Sequence, residues 1–364
     1  MASLVQFNTS TDIVNDTQKI ATSTWTNNTN NLTVMTTASA QAIFATPTSS
    51  GAFFIDVYNA HTSSTAAEVQ LSLAYGHRKG SGSLNFTNDE GGKGKSASGV
   101  TYAQYRNLIF GDDTISDFSF DGHVPDDVFI ININRARYKH NLKPGTLNLY
   151  LTGAFQAGTI AVNANTGSGI STNGEVLKLT DDSITATGSA VLTNIGRRFN
   201  IVSGASGERS GSNLTQVTDS GSYGHFYPDA GIIILNGDAI SGSIGMAADR
   251  GDHVTPIGHK YLLGAMSESN DTEAYFIVDS EEKISSQYFF VRAVNDEFNY
   301  TTNPSFIDNQ GNLNFASMID NPRTYITTVG LYNNSGDLVA VAKLSQPVAK
   351  DFTKEALIRV KLDY

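Results

Sequence analysis

The segment Asp89–Ser96 comes close to a motif for nucleotide chemistry. It ends in Gly-Lys-Ser, as the phosphate-binding P-loop does, but Asp89 stands where that motif has its first glycine. A carboxylate at this position would repel a phosphate group rather than bind it. The sequence therefore favours a flexible basic loop over a nucleotide site.

The seven histidines show no spacing typical of a metal site. His253 and His259 lie six residues apart around Pro256, and no His-Glu-x-x-His pair occurs. His225 lies in an aromatic segment, Tyr223–Asp229, that could hold a sugar but more often would pack against a neighbouring subunit. Because the chain has no cysteine, thiolate metal ligands, disulfides and thiol nucleophiles are excluded.

Carboxylates are concentrated in one short stretch. They are Asp112, Asp113, Asp117, Asp121, Asp126 and Asp127. Such a density could bind Ca²⁺, but the frame of a calcium loop is absent, so a solvated acidic loop is favoured. No Gly-x-Ser-x-Gly nucleophile motif occurs. We therefore predict no catalytic residue, no metal and no cofactor, and we do not expect an enzyme.

Cationic side chains gather at Arg135, Arg137 and Lys139, which would share one face if the preceding strand continued through them. The chain as a whole is acidic, with 24 Lys and Arg against 35 Asp and Glu and a net charge of −11. The three cations are therefore candidates for contact with an acidic partner surface, and ordinary solvated cations are the alternative. The overall charge argues against a nucleic-acid partner. No apolar run approaches the ~20 residues that span a bilayer, so no membrane partner is expected.

Short strand patterns bounded by Gly, Asn, Asp and Ser recur from about residue 50 onward. Residues 53–58 and 68–75 predict a hairpin, and residues 100–109 are the best helix candidate. Further predicted strands are 128–134, 146–152, 176–179, 199–202 and 288–294. The predicted fold class is all-β: two or more β-sandwich or barrel-like domains with long Gly/Ser/Thr/Asn loops and at most one or two short helices.

The C-terminal third has the clearest strand pattern. Residues 325–332 and 338–344 flank Asn333–Gly336, a connection typical of a hairpin. Residues 357–364 alternate apolar and polar side chains to the last residue, so this strand needs a partner strand. We expect the hairpin and the final strand to form or support a contact between subunits. The candidate contact residues are Tyr325, Leu331, Tyr332, Val360, Leu362 and Tyr364.

The predicted organisation has four parts. They are an extended N-terminal arm over 1–45, an N-terminal β domain over 46–152, a loop-rich β region over 153–280 and a C-terminal β-sandwich module over 281–364.

Two groups of segments resemble virion structural proteins of T4-like contractile-tailed bacteriophages, particularly those that infect cyanobacteria. Tyr288–Phe306 and Pro322–Tyr364 are similar to a C-terminal module of such proteins. The segments FFIDVYNA, LAYGHRKGSGS, TYAQYRNLIFGD and INRARYKHNLKPGTLNLYLTG are similar to an N-terminal module of the same group. The likeness covers roughly half of the chain, and residues 153–280 carry none of it.

The resemblance implies a non-enzymatic component of the virion, of the tail, baseplate or neck, made in the host cytoplasm. Its expected partners are other virion proteins and further copies of itself, arranged with cyclic symmetry. The alternatives are a tail protein that binds a host receptor or glycan through Tyr223, Phe226 and Tyr227, a capsid decoration protein, and, least favoured, a polysaccharide depolymerase. The chain has a single Trp, which is a poor supply of sugar-stacking side chains.

Overall fold

The computed structural model describes residues 4–37, 54–80, 98–111, 116–152, 176–185, 190–209, 221–240, 258–267, 276–301, 303–320 and 322–364. Strands predominate in these ranges and helices are few and short, which confirms the all-β class. The helices of the described residues are α1 (Ser98–Phe110), α2 (Gly237–Ile240), α3 (Gly258–Ser267) and α4 (Ser317–Asp320). The helix predicted over 100–109 is thus confirmed as α1. The P-loop-like segment Asp89–Ser96 lies outside the described residues.

The strands of the described residues run from the N-terminal segment to the end of the chain. They are β1 (Ile13–Ser23), β2 (Phe54–Tyr58), β3 (Val69–His77), β4 (Asp127–Ile133), β5 (Asn141–Leu142), β6 (Asn148–Thr152), β7 (Val176–Asp181), β8 (Val191–Thr193), β9 (Gly196–Ala205), β10 (Glu208–Arg209), β11 (Gly224–Tyr227), β12 (Ile232–Asn236), β13 (Phe276–Ile277), β14 (Asp279–Ala293), β15 (Thr324–Tyr332), β16 (Leu338–Lys350) and β17 (Ala356–Asp363).

The chain divides into two compact units. Unit 1 comprises residues 1–19 and 283–364, and unit 2 comprises residues 20–282. The division expected between 152 and 153 does not coincide with a boundary between the units, because β6, just before it, pairs along its whole length with β7, which follows it. The division expected at 280 lies two residues from the boundary at 282/283.

Unit 2 is built on one large antiparallel sheet. Its strand order is β13-β6-β7-β9-β11-β12-β4-β3-β2, and β8 and β10 also pair with β9. The central strands β4 and β12 are buried along nearly their whole length, with only Asn132 partly exposed. Strands covered on both faces need continuous apolar runs rather than alternation. This explains the sequences of β4 (DVFIINI) and β12 (IIILN).

Each face of this sheet has its own apolar core. The larger core includes Phe129, Ile131 and Ile133 of β4 together with Leu262 and Met266 of α3. The second core lies on the other face and includes Val128 and Ile130 of β4, Tyr102 and Ile109 of α1, Phe118, Phe120 and Tyr227. Helix α1 packs so closely on β3 that a Cβ at Gly76 would lie 3.0 Å from the backbone nitrogen of Tyr102.

Unit 1 has two β layers. One layer is the sheet β1-β14-β17, and the other is the hairpin β15-β16, whose prediction is confirmed. Apolar side chains from both layers form one cluster, which includes Val329 and Leu331 of the hairpin and Ile358 and Val360 of β17. Phe7 joins this cluster and lies 5.6 Å, ring centre to ring centre, from Phe289.

The N-terminal segment that was expected to be an extended arm is integrated into the fold over its described residues. β1 pairs with β14. Further along, Trp25 and Leu32 are buried in the larger core of unit 2. The Trp25 indole donates hydrogen bonds to the carbonyl oxygens of Asn30 and Phe276, at 2.9 and 3.2 Å. The polar Thr/Asn sequence around Trp25 gave no indication of this burial.

Candidate subunit-contact surfaces

The three cations Arg135, Arg137 and Lys139 do not share a face, contrary to expectation. Strand β4 ends at Ile133, and residues 135–137 form a turn of 3-10 helix. The Asn134 side chain caps this turn by accepting a hydrogen bond from the backbone nitrogen of Ala136.

The three cations also have different surroundings. Arg135 stacks on the Tyr138 ring at 4.7 Å and donates to the Tyr138 carbonyl. Arg137 is half-buried and forms an ion pair with Glu68 at 2.6 Å. Hydrogen bonds from Thr26 and from Arg137 hold the pKa of Glu68 below its usual range. Arg137 is therefore engaged within its own unit, which leaves Arg135 and Lys139 as the exposed cations of the set.

The C-terminal hairpin has one buried and one exposed face. Val329 and Leu331 point into the core of unit 1, whereas Tyr332 and Tyr325 are exposed. Register shifts between Ile326 and Thr328 and between Leu331 and Tyr332 interrupt the simple alternation of the two faces. Of the hairpin's predicted contact residues, Leu331 is a core residue, so it cannot touch another subunit directly.

Further apolar side chains lie on the exposed face of the hairpin. Val341 pairs with Gly330, and Leu338 pairs with Tyr332; Leu338 and Val341 are more than half exposed. The Tyr332 ring and Leu338 cover Gly330, since a Cβ there would meet both at 3.0–3.2 Å. This face thus presents a small apolar surface in place of the polar one that a solvent-facing strand usually has.

The final strand confirms the predicted alternation. Ile358 and Val360 are buried in the core of unit 1, Leu362 is half-buried, and Tyr364 is 74% exposed. Val360 is therefore a core residue rather than a contact residue, whereas Tyr364 is accessible.

The opposite face of the same sheet combines cations with aromatic and apolar side chains. Antiparallel pairing sets Phe290 opposite Arg359 and Arg292 opposite Leu357. Leu357 is 61% exposed, and both arginines are exposed. We call Phe290, Arg292, Leu357 and Arg359 the cationic face. Arg359 also lies 5.4 Å from the centre of the Tyr288 ring.

The loop after β14 carries exposed aromatic side chains next to two carboxylates. It contains Asp296, Glu297, Phe298 and Tyr300, and we call these four residues the acidic loop. Phe298 and Tyr300 are 42% and 61% exposed. Phe298 has a φ of +53°, a left-handed conformation that costs a bulky side chain roughly 1–3 kcal/mol.

A fully buried lysine holds this strained loop in place. The Lys350 ammonium donates to the carbonyl oxygen of Asn295, the side-chain oxygen of Asn299 and its neighbour Asp351's carbonyl, at 3.0, 2.8 and 3.1 Å. Thr324 donates a further bond of 2.6 Å to the Phe298 carbonyl. Sequence reasoning missed this arrangement, because nothing in the strand pattern of β16 distinguishes Lys350 from a solvated lysine.

The aromatic segment around His225 is a buried strand rather than a loop. Tyr223, Phe226 and Tyr227 are at most 4% exposed, so no sugar can stack on them. His225 lies against the Phe120 ring at 4.6 Å, and burial, assisted by the charge of Arg198, lowers the pKa of His225 to about 3. The predicted role of these aromatic residues in glycan binding is therefore wrong, because they form the core.

The acidic stretch is partly engaged in ion pairs. Arg78 bridges Asp117 and Asp126 at 3.3 and 2.6 Å, and Arg106 also contacts Asp117. The hydrogen bond from Lys79 and that from Arg78 hold the pKa of Asp126 below its usual range. Asp112 and Asp113 lie outside the described residues. In the described part of the chain, no three His, Asp or Glu side chains are grouped so as to hold a metal ion.

Comparison with known proteins adds no assignment: no family model, curated protein or solved structure matches this chain. Among the helices of the described ranges, none is long and apolar enough to cross a membrane.

Proposed function

We propose that this chain is a non-enzymatic structural component of a bacteriophage virion, located in the tail, baseplate or neck. The observation that carries the proposal is the amount of apolar surface that unit 1 leaves exposed. Tyr332, Leu338 and Val341 lie on the exposed face of the hairpin, and Leu357 lies on the cationic face. Exposed apolar side chains grouped on adjoining strands, as the three of the hairpin are, are typical of surfaces that a neighbouring protein covers.

The sequence resemblance is a second kind of support for the same proposal. It covers Tyr288–Phe306 and Pro322–Tyr364, which include the acidic loop, the hairpin and β17. The chain would be a structural subunit, and neighbouring subunits would cover its exposed strands and apolar side chains on assembly. Many modest contacts of this kind add up to a stable lattice, since interfaces of permanent assemblies commonly bury about 2,000–5,000 Å².

Of the alternatives, the glycan-binding role loses the residues on which it depended. Tyr223, Phe226 and Tyr227 are core residues of unit 2. A capsid decoration protein would use the same kind of exposed β surface, so it differs from our proposal only in position within the particle.

The experiment is quantitative mass spectrometry of particles purified from a lysate of the phage that encodes this chain. We expect its peptides at a fixed copy number per particle, in whole multiples that match the symmetry of the tail. Absence of the chain from purified particles, with other tail proteins present, would refute the proposal. Locating the chain in a cryo-EM map of the particles would then distinguish tail, baseplate and neck from the capsid.

A further inference from the structure

Two surfaces of unit 1 carry opposite charges that form no ion pairs among the residues the structure describes. On the cationic face, Arg292 and Arg359 are exposed and have no carboxylate partner among the described residues. In the acidic loop, Asp296 and Glu297 likewise have no cationic partner in the part of the chain that the structure describes. Further along β17, Lys361 pairs with Asp363 at 3.0 Å and is also influenced by the charge of Asp16 in β1. Among the described cations of this face, Arg292 and Arg359 are therefore the ones without an ion-pair partner.

The two surfaces also match in their apolar content. The acidic loop exposes Phe298 and Tyr300, and the cationic face exposes Leu357 beside the half-exposed Phe290. Aromatic and arginine side chains are the types that contribute most to protein–protein binding. Opposite charges around such side chains orient the two partners as they approach, and they disfavour binding of proteins that carry like charges at the same place.

The acidic loop is held in one conformation, as a docking element should be. Lys350 binds the loop at Asn295 and Asn299, on either side of the strained Phe298. A loop that is already fixed loses little conformational freedom on binding. In this conformation Phe298 is 42% exposed at the surface.

We propose that copies of this chain bind one another through these surfaces, the acidic loop of one copy docking on the cationic face of the next. This inference deepens the proposed function by naming a partner of the assembly, and it rests on that function only for its biological purpose. Contact between two different surfaces gives a ring if the rotation between copies closes and an open filament if it does not, and it gives a dimer if both pairs of surfaces meet at once. We propose the closed form.

The test is sedimentation velocity of the full-length chain, up to about 100 μM. We expect a closed oligomer that dissociates as the salt concentration rises from about 0.1 M to 1 M, because salt screens the attraction between the oppositely charged surfaces. A dimer or a ring of fixed size agrees with the proposal. A wild-type chain that stays monomeric throughout this range overturns it.

Charge reversal identifies the surfaces. The loop variant Asp296→Lys/Glu297→Lys and the face variant Arg292→Glu/Arg359→Glu should each weaken self-association by about 30-fold or more, the effect of losing a strong contact residue. Mixing the two variants should restore association, because each loop then meets a face of opposite charge. Glu208→Lys, a charge reversal at an exposed side chain of unit 2, is the matched control and should associate as the wild type does. Association of both variants at wild-type strength, or no recovery on mixing, contradicts the proposal.

These results are independent of the virion proposal. A chain that associates through these surfaces but is absent from particles refutes the function and leaves the inference standing. A chain found in particles that is monomeric when pure refutes the inference alone.

Discussion

The Lys350 ammonium lies 2.8 Å from the side-chain oxygen of Asn299, and both residues are almost completely buried. The two other acceptors of this ammonium are backbone carbonyls, and no carboxylate of the described ranges pairs with it directly. A buried charge of this kind is tolerated only when each of its protons has an acceptor. Here a single side chain joins the end of β16 to the loop that follows β14.

Replacing this lysine should destabilise the protein and release the loop. Lys350→Met keeps the length of the side chain but leaves the oxygens of Asn299 and Asp351 without their donor. We expect the free energy of unfolding to fall by about 2–4 kcal/mol, as for other buried groups left unpaired, measured by urea denaturation. Chymotrypsin should also cleave after Phe298 faster than in the wild type.

The matched control for this experiment is Lys343→Met, in the same strand but exposed. It should change stability by no more than about 0.5 kcal/mol. Equal stability of the two variants would mean that the three hydrogen bonds of Lys350 contribute nothing.

Two leucines of the hairpin should respond differently to the same substitution. Leu331 is 6% exposed in the core of unit 1, whereas Leu338 is 53% exposed. Leu331→Ala should lower the free energy of unfolding by about 2–4 kcal/mol through lost burial and a cavity. Leu338→Ala should have an effect within about 0.5 kcal/mol. The measurement is urea denaturation followed by circular dichroism, at a concentration where the chain is monomeric; similar losses would contradict the assigned faces of the hairpin.

Acid should destabilise unit 2 through His225. Burial lowers its pKa from 6.5 to about 3, so the folded protein keeps the ring neutral while the unfolded chain takes up a proton below about pH 6.5. Stability is therefore lost as the pH falls from about 6.5 towards 3. At pH 5 the contribution of this one group is about 2 kcal/mol.

His225→Phe should remove this part of the acid sensitivity, because a phenyl ring suits the neighbouring Phe120 and cannot be protonated. The measurement is the free energy of unfolding at pH 7.5 and at pH 5. His61→Gln, at an exposed site, serves as the control and should keep the wild-type pH dependence. An unchanged slope in His225→Phe would show that other groups cause the acid sensitivity.

Trp25 provides a specific optical signal for unit 2. It is 3% exposed, and its ring lies 5.2 Å from that of Phe276. Phe276→Ala should remove about 3–5 kcal/mol from the stability of this core, with Trp25 fluorescence as the readout of unfolding. Phe54→Ala, at a side chain that is 48% exposed, should have a much smaller effect. If Phe276→Ala unfolds at the same denaturant concentration as the wild type, judged by Trp25 fluorescence, the burial of Trp25 against this ring is contradicted.

Local sequence pattern determined much of the secondary structure. The alternation of β17, the Asn/Ser/Gly connection between β15 and β16, and the apolar runs of β4 and β12 each follow from side-chain period and turn chemistry, and each is present in the structure. These signals depend on neighbours in the sequence, so they can be interpreted without the fold.

Which residues are exposed at the surface was decided by the tertiary structure. The sequence placed Arg135, Arg137 and Lys139 on one strand face, but a capped 3-10 turn separates them. It assigned Tyr223 and Phe226 to an accessible loop, but the core of unit 2 buries them. The cationic face requires the pairing of β14 with β17, and the acidic loop requires Lys350 from β16. Periodicity shows which side chains share a face; which of those faces another part of the chain covers depends on contacts between residues distant in sequence, and those exist only in the folded protein.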